Sequence, residues 1–226
     1  MNDPFQSAAL REYQKSATQL ALGKDATAAL KKSYERYDNL IAKTIDASPI
    51  KPACKAGCAF CCHYKVEVRA HEMLLIKDYM SKTFSAEKIA SVLAEAEANA
   101  VIIRTLTPEQ HLTTNLKCAL LQGNQCSIYP LRPFRCRNFH STDAGACEQS
   151  HGDPGNMEIA TGMIEDVAMF ADAHTQGFEA AAEQTGRDAR VYDFTTALLE
   201  AFNDANALKR YKSGKKTFTQ AIEVLE

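Results

Sequence analysis

The chain has 226 residues, 46% of them hydrophobic and 24% charged, with a formal net charge of −2. That length can bury a substantial core without covalent staples. The near-neutral balance argues against a general nucleic-acid or acidic-membrane binder, whose footprint is a strong basic excess. No apolar run approaches the roughly 18 to 20 residues of a membrane-spanning helix. The N-terminus MNDPFQSAALREYQKS lacks the basic and apolar regions of a secretory signal, so a cytoplasmic protein is the expectation.

Residues 5–46 are predicted to form a helical pair. Leu10, Tyr13, Ala17 and Leu20 recur at helical spacing, as do Leu30, Tyr34, Tyr37, Ile41 and Ile45, with Gly23 between the two runs. Pro49 and Pro52 end this arm, residues 1–48, and deliver the chain extended into the first cysteine. Tyr64–Val68 is the one strand-like fragment. Ser85 is placed to cap a helix carrying Ile89, Val92, Leu93 and Ala96, and Thr107-Pro108-Glu109-Gln110 is a capping box with Pro at the first helical position. Beyond the cysteines, Ile159, Met163, Val167 and Phe170 make a stripe, and Phe194, Leu198 and Phe202 begin another. These stripes predict core packing. The basic run Lys209–Lys216 predicts a solvated face. The fold expected is mainly α: a helical protein with a central, loop-rich, metal-binding cysteine core. Its parts are the arm 1–48, the core 49–152 and C-terminal helices 153–226 packing on it as one compact unit.

All 8 cysteines lie between Cys54 and Cys147. In a reducing compartment such a cluster means metal or redox chemistry more often than disulfides. The first group, CKAGCAFCCH, holds Cys54, Cys58, Cys61 and Cys62. The second, Cys118, Cys126, Cys136 and Cys147, is spread over turn-rich sequence that can aim side chains at a point. A tight cluster completed by distant cysteines is one way a site closes around an inorganic centre. Adjacent Cys61 and Cys62 point apart on extended backbone, so either two centres share the segment or one thiol ligates while the other is packed or reactive. Arg132, Arg135 and Arg137 stand close to Cys136, and Lys55 and Lys117 adjoin Cys54 and Cys118. Arg132 and Arg137 are the candidates to compensate a thiolate centre's negative charge or to hold an anionic substrate beside it. His63, His140 and His151 follow cysteines closely and are alternative ligands; His71, His111 and His174 have weaker positions.

CKAGCAFC has the C-x3-C-x-aromatic-C form of a radical S-adenosylmethionine cluster loop, but helices rather than a first strand precede it. A c-type haem motif fails because Cys62, not His, follows Cys61, and a thioredoxin-like C-x-x-C would want a βαβ neighbourhood.

Cys54-x3-Cys58-x2-Cys61-Cys62, then Cys126-Ser-Ile-Tyr and Arg132-Pro133-x-x-Cys136-Arg137, together resemble the bacterial YkgJ-type cysteine-cluster proteins, which are described as zinc- or iron-chelating domains or as iron–sulfur-cluster-containing proteins. The resemblance covers residues 54–147. It implies Cys54, Cys58, Cys61, Cys62, Cys126 and Cys136 as ligands, with Cys118 and Cys147 as additions. Structural zinc prefers two close pairs, whereas three close cysteines with a remote one is nearer to iron–sulfur ligation. An iron–sulfur cluster is therefore favoured over zinc. The functions expected are a redox or cluster-dependent activity or, alternatively, a zinc-stabilised interaction protein without catalysis. The partner would be a protein or small molecule, with no nucleic acid and no membrane.

Overall fold

A computed structural model describes residues 3–22 and 26–224. The N-terminal pair is α1 (Pro4–Leu22) and α2 (Ala26–Ala47); the Gly23 break expected between them lies outside the described residues. After a 3-10 turn (Phe60–His63) come β1 (Glu67–Arg69), α3 (Ala70–Thr83), α4 (Ala86–Ile103) and α5 (Pro108–Leu112). A hairpin of β2 (Leu121–Gln122) and β3 (Gln125–Cys126) leads to α6 (Phe134–Asn138) and α7 (Ala144–Gly152). The chain closes with α8 (Glu165–Gln184), β4 (Val191–Asp193), α9 (Phe194–Asn203), α10 (Ala207–Lys212) and β5 (Glu223–Val224). The fold is mainly α. No described helix is long and apolar enough to cross a membrane.

The caps read from sequence are present. Ser85 accepts from the Lys88 N–H, and Thr107 and Gln110 cap α5 reciprocally. α3 starts without a Ser or Thr cap: Glu72 reaches back to the Arg69 N–H at 3.0 Å and does that work itself. β1 pairs antiparallel with β4, and β4 with β5. The strand expected at 64–68 is thus Glu67–Arg69, because the preceding residues turn at Phe60–His63 to present cysteines.

The core gathers Leu30, Tyr34 and Tyr37 of α2, Met73, Leu75, Ile76 and Met80 of α3, Phe178 of α8 and Leu198 of α9. Removing this much apolar area from water is the main cohesive force. Two expected stripes are corrected. Ile159 and Met163 precede α8 rather than belonging to it; Gly162 has φ +68 and Met163 is 62% exposed. The buried face of that helix is Val167, Ala171, His174, Phe178 and Ala181. In α1 the expected Leu10 is 54% exposed, and the buried row is Ala8, Glu12, Ser16 and Leu20.

That shift has a polar cause. Glu12 accepts from Ser16 (2.6 Å), Ser33 (2.7 Å) and Arg36 (2.7 Å), while Ser33 Oγ lies 3.0 Å from His174 Nε2. Burial pushes the Glu12 carboxyl up, but Arg36, His174 and the two serines outweigh it and hold the pKa low. α1 sits so close to α8 that a Cβ on Gly177 would run into the Ala9 carbonyl. Neither N-terminal helix stands free: α1 packs along α8, and α2 against α8 and α3.

Candidate metal centre

The backbone ties that aim the cysteines are few and local. Ala53 N–H donates to the Ser141 carbonyl at 2.7 Å, and the Ser141 N–H donates to Cys54 Sγ at 3.4 Å. Ser141 is itself buried and fixed by its hydroxyl, which donates to the Thr161 carbonyl at 2.5 Å. Gly57, at φ +85, turns the chain from Lys55 to Cys58, a conformation that costs glycine least. The 3-10 turn then carries Cys61 and Cys62. The Cys118 N–H donates to the Cys62 carbonyl at 2.8 Å, and Leu116 N–H to the His63 carbonyl at 2.9 Å, so the second cysteine segment lies along the first. Gly123 and Asn124, both with positive φ, turn the hairpin that sets Cys126 opposite Leu121. α6 carries Cys136. α7, capped by Asp143, carries the buried Cys147 and packs on the 3-10 turn.

Two overlapping sulfur neighbourhoods result. Cys54 is pushed above the ordinary thiol range by burial and by the charges of Cys61, Cys58 and Cys147, against the lowering Ser141 N–H. Cys136 is pushed well above it by burial, then by Cys118, Cys126, Cys61 and Glu72. Burial raises Cys118 to about 11 and also raises Cys126, while Arg132 pulls Cys126 back down. Cys61 is raised first by its hydrogen bond with the Cys62 thiol, then by burial. Cys61 is the sulfur common to both neighbourhoods.

All eight thiols are free. As they lie, no three His, Cys, Asp or Glu side chains among the described residues form a group that could hold a metal ion. The eight predicted ligands are therefore brought near one another without meeting at a point. The donor set nonetheless has the chemistry of a thiophilic ion's site. Cys54, Cys61, Cys118, Cys126 and Cys136 are all held above the ordinary thiol range, so ionising these five is costly until a cation is there to compensate.

The arginines divide. Arg137 is buried, with Nη1 donating to Asp38 (2.7 Å), Nε to the Arg132 carbonyl (2.9 Å) and Nη2 to the Pro130 carbonyl, over the Tyr34 ring at 4.0 Å. Its nitrogens are committed to fastening the Pro130–Arg132 loop to α2. Arg132 stacks on Tyr129 at 3.9 Å and its charge lowers the pKa of both Cys61 and Cys126. Arg135 is exposed.

The histidines divide too. His140 has Nε2 accepting from Ile164 N–H at 2.9 Å and Nδ1 3.2 Å from the Asn138 carbonyl, so both nitrogens are engaged. His63 and His151 meet edge to face at 4.6 Å beside the 3-10 turn, and His63 Nδ1 lies 3.1 Å from the Ala59 carbonyl. His71, His111 and His174 are buried, in α3, α5 and α8.

Glu72 escaped the sequence reading. Fully buried, it accepts from Phe134 N–H (2.7 Å), Tyr34 Oη (3.0 Å) and Arg69 N–H (3.0 Å), joining α3 and α2 to the start of α6 two residues before Cys136. Burial raises its pKa against those three donors. The available signal was its place three residues into a helix with no Ser or Thr cap. Nothing in the sequence announced the reach to Phe134.

Residues 53–159, just under half the chain and including every cysteine, match the CxxCxxCC family model, described as "Putative zinc- or iron-chelating domain". The resemblance seen in the motifs and this match agree, and the match supports binding of zinc or iron by the segment. No curated protein and no solved structure matches the chain significantly.

Proposed function

Proceeding from that match, we propose that the chain holds an iron–sulfur cluster through the cysteines gathered beside its helical core, and serves a redox or cluster-dependent activity. The observation that carries this reading is the inner neighbourhood. Cys61, Cys118, Cys126 and Cys136 come from four separate stretches, and the charges of the first three all bear on Cys136. None of these four stands in a pair with two to four residues between its members, the spacing that structural zinc prefers. Binding would turn the side chains inward from the positions they hold here. Cys54, Cys58, Cys62 and Cys147 complete the proposed ligand set, either as alternates or as a second centre.

When bound, such a cluster supplies one-electron chemistry. The chain's own residues do the rest. Arg132 lends positive charge to the sulfurs, and Arg137 and Glu72 hold the loop and helix that carry Cys136. The small-molecule or protein partner of this centre would approach past the exposed Arg135 and Tyr129.

The alternative is zinc bound by the same thiols in an interaction protein without catalysis. A partner docking on the N-terminal helices would have to bind α1 and α2 as they lie packed on α8 and α3. Anaerobic purification followed by iron, acid-labile sulfide and zinc analysis separates the two. Iron with equimolar sulfide and a visible absorption bleached by dithionite supports the cluster. A colourless chain holding only zinc overturns it. Cys136→Ser and Cys58→Ser are expected to release metal, and unchanged metal content in either would refute its place among the ligands.

A further inference from the structure

Of the 6 histidines, His140 has both ring nitrogens engaged, and His71, His111 and His174 are buried. His63 and His151 differ from these four. Their rings meet with centroids 4.6 Å apart, and both residues are half-buried. His63 Nδ1 lies 3.1 Å from the Ala59 carbonyl, an arrangement that puts the proton on Nδ1 and the lone pair on Nε2. Among the described residues, His63 Nε2 and both ring nitrogens of His151 make no hydrogen bond, and none of the three is enclosed.

Two open imidazoles in contact are a donor pair for a metal ion. Imidazoles bound to one ion at about 2.1 Å have ring centres roughly 5 Å apart, close to the spacing here. A ligating histidine commonly donates its second ring N–H to a backbone carbonyl, as His63 does to Ala59. Different elements hold the two rings. His63 ends the 3-10 turn, and its carbonyl accepts from Leu116 N–H at 2.9 Å. His151 sits in the last turn of α7, where its carbonyl accepts from Asn115 Nδ2 at 2.6 Å. Next to it, Ser150 Oγ accepts from Tyr64 Oη at 3.3 Å. The backbones are therefore fixed, while no hydrogen bond holds the His151 ring against turning towards an ion.

The pair has no third donor in place. What it has is position. His63 follows Cys62 directly, and Cys147 precedes His151 by one helical turn, on the same face of α7. Cys147 in turn belongs to the neighbourhood of Cys54, Cys58 and Cys61.

Resting on the reading that the cysteines hold a metal centre, we propose that His63 and His151 are the entry site for its metal. They catch a divalent transition ion from solution and pass it to the sulfurs by way of Cys147. Imidazole suits iron and zinc alike, so the site serves either filling of the centre. A neutral imidazole binds without first losing a proton, whereas each thiol that takes the ion must release one to solvent. Capture by nitrogen therefore comes before capture by sulfur. Two neutral donors also hold an ion less tightly than a set of thiolates, so the ion moves on and the imidazoles are free in the finished centre.

The test is the rate of loading. The full chain, freed of metal, is mixed with Co2+ under exclusion of oxygen, and cobalt–thiolate absorption is followed by stopped flow. His63→Gln and His151→Gln are expected to load at least about tenfold more slowly, because each leaves a single donor where two acted together. Both are expected to reach the parent's final cobalt content. Equal rates overturn the entry site. A slow variant that also ends with less cobalt makes that histidine a ligand of the finished centre, and overturns the entry site too. A parent that takes up no cobalt sinks the reading of the centre along with its entry, so the two failures are told apart. Circular dichroism checks each metal-free variant, and should one not fold, the other decides.

Discussion

Gly177 is the position where α1 and α8 come closest, and replacing it by alanine opposes two effects of known sign. Alanine inside a helix is favoured over glycine by about 1 kcal/mol. Against that, the new methyl would stand 3.0 Å from Glu12 Cβ, 3.1 Å from the Ala9 carbonyl carbon and closer still to its oxygen. The obstruction is helix backbone, which has no rotamer to swing away, so α1 as a whole must retreat. Forcing a methyl into such a contact costs about 1–3 kcal/mol. The retreat also stretches the Glu12 hydrogen bonds to Ser33 and Arg36, at about 1–3 kcal/mol for a buried group left unsatisfied. The net expectation is a loss of about 2 kcal/mol. Urea unfolding followed by circular dichroism measures it, and the midpoint should fall by roughly 1 M at an unfolding slope of about 2 kcal/mol/M. Gly152→Ala is the control, because a Cβ there meets nothing within 4 Å. If Gly177→Ala proves as stable as the parent, the tight α1–α8 seam described above is wrong.

Glu72→Ala strips an acceptor from Phe134, Tyr34 and Arg69 at once; a stability loss of about 3 kcal/mol and weakened metal retention are expected. Glu72→Gln, which keeps one acceptor oxygen, should lose less by both measures. Arg137→Lys cannot reproduce contacts to Asp38 and two carbonyls from one planar group, and should destabilise by about 1–2 kcal/mol, read by thermal unfolding. Acid should weaken the fold through His174, whose burial lowers its pKa to about 4 from 6.5. Because the folded pKa is the depressed one, its contribution is intact above about pH 6.5 and disappears as pH falls towards 4. A gap of that size is worth about 3 kcal/mol. His174→Gln should flatten the pH dependence of the urea midpoint in that window, and an unchanged slope would refute the assignment.

Much of this architecture could be read from residue order, for identifiable reasons. Leu30, Tyr34 and Tyr37 form a stripe because they face a common core, and Ser85 and Thr107 act within three residues of themselves. α1 misled because its buried row holds Glu12 and Ser16. Apolar periodicity therefore located the wrong face, and only the three-helix encounter with Ser33, Arg36 and His174 makes a polar seam stable. Ile159 and Met163 misled because helical spacing continued past the point where Gly162 stops a helix from forming. At the sulfur site, residue type and spacing singled out the cysteines, and the family match covers the segment that holds them. Which thiols neighbour which was not legible, since that depends on Cys118 pairing with the Cys62 carbonyl and on α7 settling against the 3-10 turn.

The apolar nucleus of the molecule draws on α2, α3, α8 and α9 and includes no thiol among its fully enclosed members; Cys118 and Cys126 only lean on its edge. Cohesion and cargo are thus supplied by different residues. A vessel of this kind can be finished first and filled afterwards, unlike a zinc finger, which has no shape until its ion arrives. Stripping the ion should accordingly leave far-ultraviolet circular dichroism nearly intact while the cysteine-bearing loops alone lose their protection from hydrogen exchange.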